Sequence, residues 1–88
     1  MTHMTSNTLR DFEAIARKGS PDALYNLGLA YSTGQGAPAN YVTAHKWFNL
    51  AAMKGVNEAR VWRAQLSHEM SPAQIAEAQR QAREWLIH

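Results

Sequence analysis

Apolar residues recur along this chain at intervals of three and four, in five runs divided by glycine, proline and capping residues. That is the period of amphipathic helices, not of strands. Over Thr8 to Lys18, Leu9, Phe12, Ile15 and Ala16 share one stripe, with Arg10, Asp11, Glu13 and Arg17 between them. Gly19 then suits a left-handed end to the helix. Ser20 and Pro21 supply the cap and first position of a second helix, Pro21 to Thr33, because a missing N–H costs nothing there. Its core face is Leu24, Leu27, Gly28 and Tyr31, with Ala23 and Ala30 beside it. Gly28 is about 1 kcal/mol worse than Ala inside a helix, a cost that fits a position where a neighbouring helix comes very close.

The loop Gly34-Gln35-Gly36-Ala37-Pro38-Ala39-Asn40 stops that helix and offers Asn40 as the next cap. A third helix, Tyr41 to Lys54, carries Tyr41, Ala44, Trp47, Phe48, Ala51 and Ala52 as its stripe and ends at Gly55. Asn57 is expected to cap a fourth, Glu58 to about Glu69, with Ala59, Trp62, Leu66 and Met70 as a narrower seam. Ser71-Pro72-Ala73-Gln74 has the form of a capping box. The fifth helix that follows has Ile75, Ala78, Ala82, Trp85 and Leu86 on its apolar side, and Glu77, Arg80 and Glu84 spaced to pair on the other. The reading is all-α, a two-layer helical stack of about five helices.

Composition supports a folded chain and withholds several functions. At 88 residues with 45% hydrophobic content, the chain makes one domain with a modest core, without the high charge of disorder. A formal charge of +2, with basic residues spread from Arg10 to Arg83, gives no push toward nucleic acid. The absence of Cys removes disulfides and thiolate metal sites. No run approaches the roughly 18–20 apolar residues of a membrane span, and the start shows no signal-type leader. The expectation is a soluble protein without membrane insertion: cytoplasmic as it stands, periplasmic or secreted if a signal peptide preceded it.

Candidate chemistry is thin. The histidines His3, His45, His68 and His88 are scattered, and His68-Glu69 lacks the second His that a helical zinc motif requires. They read as solvated surface residues. Gly34-Gln35-Gly36 follows a helix where a phosphate cradle needs a strand, and no Ser sits on a nucleophile turn. No catalytic, cofactor or metal residue is expected.

A shift of 36 residues lays Phe12 on Phe48, Ala16 on Ala52, Lys18-Gly19 on Lys54-Gly55 and Ala23 on Ala59, a period typical of helical repeat arrays. The residues Ala23, Tyr25, Leu27-Gly28, Tyr31, Gly34, Gly36, Asn40, Ala44, Trp47, Ala51-Ala52, Gly55 and Ala59 resemble the pattern of the Sel-one-like repeat family, relatives of the tetratricopeptide repeats. Met70 to Gln79 resembles that family's frequent C-terminal cap. The resemblance implies a short right-handed solenoid of antiparallel helix pairs. It also implies a role in protein–protein contact as a non-enzymatic adaptor or scaffold, commonly in bacterial signalling, envelope or host-interaction settings.

On this reading residues 1–7 are a disordered tail or an expression remnant, and residues 8–88 are a single repeat domain. Within it, 8–18 is a partial repeat, 20–55 a complete one and 57–88 a cap. Arg60 and Arg63 stand where the complete repeat has Leu24 and Leu27, so the fourth helix must be rotated or serve as cap. Tyr25, Asn26 and Leu29 fall off the core stripe, on the side that a curved stack makes concave. Trp62 stands where the repeat has Asn26; either it seals the seam with Leu66 or it is an anchor for a partner. These four are the expected protein-binding residues, the partner being another protein of unknown identity. The alternative is self-association, a homodimer through the exposed face of the first helix around Leu9 and Phe12.

Overall fold

A computed structural model describes residues 6–87; most of the expected tail, together with His3 and His88, lies outside them. The described chain forms five helices: α1 (Ser6–Arg17), α2 (Pro21–Thr33), α3 (Tyr41–Met53), α4 (Asn57–His68) and α5 (Pro72–Ile87). No strand occurs among the described residues, and no helix there is long and apolar enough to cross a membrane. The fold is all-α, a short solenoid of helix pairs.

Most helix ends follow local chemistry. Ser20 Oγ accepts the Ala23 N–H at 3.2 Å and Asn40 Oδ1 accepts the Thr43 N–H at 3.1 Å. Ser71 and Gln74 exchange reciprocal bonds of 3.1 and 2.8 Å. Caps of this kind contribute about 1 kcal/mol each. Gly19, at φ 92°, closes α1 in the left-handed region that a side chain would strain.

One cap differs from expectation. Helix α4 begins at Asn57 itself, and its N-cap is Val56, which makes no side-chain cap bond. Val56 is half-buried and packs on the core, and its carbonyl takes the Ala59 N–H at 3.1 Å. Apolar packing before the helix, rather than the Asn57 amide, therefore sets where α4 starts.

The core is centred on α3, which packs against α2, α4 and α5, while α1 packs on α2. Ala44, His45, Trp47, Phe48, Leu50 and Ala51 are all buried. At about 100° per residue these positions cover well over half the helix circumference, which is how one helix meets three neighbours. The closest approach is at Gly28, where a Cβ would lie 2.5 Å from the Phe48 ring. Only glycine admits Phe48 at this crossing.

Several positions on the expected stripes are less covered than their spacing suggests, among them four near helix ends. Ile15, Tyr41 and Leu86 are 46%, 42% and 53% exposed, and Tyr31 is half-buried. Each lies in the first or last turn of its helix, and Tyr31 still packs partly on the core. Conversely, Leu9 is buried and Phe12 half-buried because α2 covers them. Helix α2 thus covers part of the face expected to remain open for self-association, Leu9 more fully than Phe12.

Candidate functional site

The four residues expected to bind protein sit on α2 and α4, and all are half-buried. Phe48 of α3 joins the two helices beneath them. The Trp62 ring stacks on Phe48 at 5.8 Å between centroids and 9° between planes, and Tyr25 meets the same ring at 5.8 Å and 55°. Trp62 Nε1 donates to Tyr25 Oη at 3.2 Å. Tyr25 and Trp62, separated by 37 positions, are therefore brought together into one unit, with Asn26 and Leu29 beside Tyr25 on α2. Stacking and the hydrogen bond hold both rings in fixed orientations while leaving each partly open to solvent.

Next to this cluster a polar seam joins α3 to α4. Arg63 Nη1 donates to Asn49 Oδ1 at 2.6 Å, and Ser67 Oγ donates to the Arg63 carbonyl at 2.9 Å. His45 Nε2 lies 3.1 Å from Ser67 Oγ. Because the Ser67 hydroxyl proton is engaged with Arg63, its oxygen accepts, which places the imidazole proton on Nε2. His45 is only 2% exposed and its Nδ1 has no partner.

This corrects the expectation that the histidines are solvated. His68 is exposed, but α3 is enclosed on too many sides for His45 to reach water. Burial lowers the His45 pKa below its ordinary value of 6.5, and the Arg63 charge lowers it further. The sequence did hold a signal: the 36-residue shift that pairs Phe12 with Phe48 also lays His45 on Leu9, a member of an apolar stripe.

A second cluster, absent from the sequence reading, lies where the ends of α1 and α5 approach α3. Trp85 meets the buried Trp47 edge-on at 4.7 Å and 81°. The Arg17 guanidinium stands 4.6 Å above the Trp85 ring, and Lys46 Nζ lies 4.3 Å from Trp47 and 5.4 Å from Trp85. Burial lowers the Lys46 pKa, against an opposing pull from Glu13. Beside this cluster opens a cavity of about 400 Å³, lined in part by Arg17, Lys54, Leu50, Met53, Trp85 and Leu86. Arg17, Lys46 and Trp85 come from three helices and share no spacing, so no linear pattern could have grouped them.

The α2–loop–α3 unit is also where this chain meets known proteins. Residues 21–56 match the family model of the Sel1 repeat. The matched stretch contains the Gly28–Phe48 crossing and Tyr25, Asn26 and Leu29, and ends before Trp62. No curated protein matches the chain.

Proposed function

Since the chain is a Sel1-like repeat protein, with the repeat at residues 21–56, and such repeats mediate protein–protein interaction, we propose that it is a non-enzymatic adaptor. Its working surface is the α2–α4 side, where Tyr25, Asn26, Leu29 and Trp62 receive a segment of a partner protein. On this reading residues 20–55 are the complete repeat, 8–18 a partial one and 57–88 the cap that closes the stack.

One observation carries the reading: Tyr25 and Trp62 are fixed before any partner arrives, by Phe48 beneath them and by their own hydrogen bond. Aromatic anchors held in place lose little side-chain entropy on binding, and residues of this kind dominate interface energies. Asn26 and Leu29, which take no part in that unit, extend the surface along α2.

The test uses Asn26→Arg and Leu29→Arg, because both positions lie off the main core stripe. A photo-crosslinker placed at Ser32 captures the partner from cells that express the protein. Both variants are expected to lose that capture, Asn26→Arg while keeping the wild-type melting temperature and Leu29→Arg with a modest fall, because Leu29 packs partly on the core. Undiminished capture by both would assign binding to another face.

A further inference from the structure

The cavity between the ends of α1, α3 and α5 differs in kind from the α2–α4 surface. Its walls include Leu50, Met53 and Leu86, and its charged lining residues are Arg17 and Lys54, with no acid among them. Lys54 folds over the α1–α2 turn, its Nζ 3.1 Å from where a Cβ of Gly19 would lie. Arg17 is laid across Trp85. Among the described residues neither cation makes an ion pair; the α5 acid that borders Arg17, Glu84, is engaged by Arg80. Two cations thus face one hollow of mixed polar and apolar lining with no acid among its lining residues, while Arg17 also borders Glu84 in an adjoining depression.

We propose that this hollow is a second binding site, which takes the C-terminal end of a partner polypeptide, its carboxylate between Arg17 and Lys54 and its last apolar side chain against Leu50, Met53 and Leu86. Charge complementarity calls for an anion, and the apolar wall calls for a hydrocarbon group directly beside it. A chain end presents the two together, since its carboxylate and its side chain leave the same Cα. The volume of about 400 Å³ accommodates one or two residues and falls at the small end of ligand sites, roughly 300–1,000 Å³. It is too small for a docked helix. Arg17 already lies flat on an aromatic face, an arrangement that leaves its N–H edge free to donate to a carboxylate.

The test is an NMR titration of the intact chain with a hexapeptide ending in leucine, as the free acid and as the C-terminal amide, following the Trp85 indole N–H. The free acid is expected to shift that resonance to saturation. Amidation is expected to weaken binding about tenfold or more, as loss of a charge-assisted bond does. Arg17→Gln and Lys54→Gln are each expected to weaken the free acid about tenfold, Lys54→Gln with unchanged melting. Leu29→Arg, which tests the α2–α4 surface, leaves this titration unaltered, so the two sites stand or fall separately. Equal binding of acid and amide, indifference to both cation variants, or binding of octanoate without binding of the peptide would each overturn the proposal.

Discussion

On the α2–α4 side, Trp62 lies flat on Phe48 and gives its N–H to Tyr25; on the α1–α5 side, Trp85 meets Trp47 edge-on and is covered by Arg17 and Lys46. Both clusters draw on adjacent residues of the same helix, yet one is closed by aromatic packing and the other by long cationic side chains. The difference begins with how near the helices come. Gly28 lets α2 approach until Phe48 fills the crossing, and the aromatic rings above it then touch one another. No corresponding glycine draws α1 onto α5. There the gap is spanned by Arg17, which is exposed, and by Lys46, whose ammonium is partly buried against the indoles. Close approach gives a fixed apolar surface, and wide approach leaves a charged hollow.

Phe48→Ala should have the largest effect, because it removes the ring shared by Gly28, Tyr25 and Trp62. A loss of about 3–5 kcal/mol is expected, measured by urea unfolding. A loss below about 1 kcal/mol would show that the two aromatic sides do not depend on this crossing. Gly28→Ala comes next: its gain in helix propensity, about 1 kcal/mol, is opposed by a contact of 2.5 Å to the Phe48 ring. Overpacking of this kind costs about 1–3 kcal/mol, so net destabilisation is expected, and it should be relieved when Phe48→Leu is combined with it. Absence of relief in that double-mutant cycle would break the link between glycine and ring.

Acidification should act on the α3–α4 seam through His45. Its folded pKa is depressed, by burial first and Arg63 second, so the unfolded chain takes up a proton at higher pH than the folded one. The associated stability is fully present above about pH 6.5 and is lost as pH falls from there through the folded pKa. Urea midpoints measured across that range should decline in the native chain, and His45→Leu should flatten the decline. An equal slope in the variant would place the acid sensitivity elsewhere.

The smallest effect is expected from Arg80→Ala. Its hydrogen bonds hold the Glu77 carboxyl down at about 2, but both groups lie open to solvent, where screening removes most of the benefit. The melting temperature should stay where it is. A clear fall would mean that charge on α5 helps to hold the α1–α5 side together.

Much of the fold was legible because the signals are local. Ser20, Asn40 and the Ser71–Gln74 box cap helices as their side chains dictate, and Gly28 announced a close crossing before its partner was visible. Asn57 was misread because a competing influence, the packing of Val56, comes from across the chain. His45 was misread because its polarity outweighed its register, although the repeat placed it on Leu9. At the candidate site, the periods put Tyr25, Asn26 and Leu29 off the core stripe and left Trp62 with two roles; only the fold showed Trp62 bound to Tyr25 over Phe48.

The sequence by itself determined what neighbouring residues can decide: five helices, most of their ends, much of their buried faces and a crossing where only glycine fits. Tertiary structure decided which faces meet. Trp62 joins Tyr25 and Phe48, and Arg17 joins Lys46 and Trp85, because the rotation and separation of each helix are set by all its packed neighbours together, a condition that no spacing along the chain encodes.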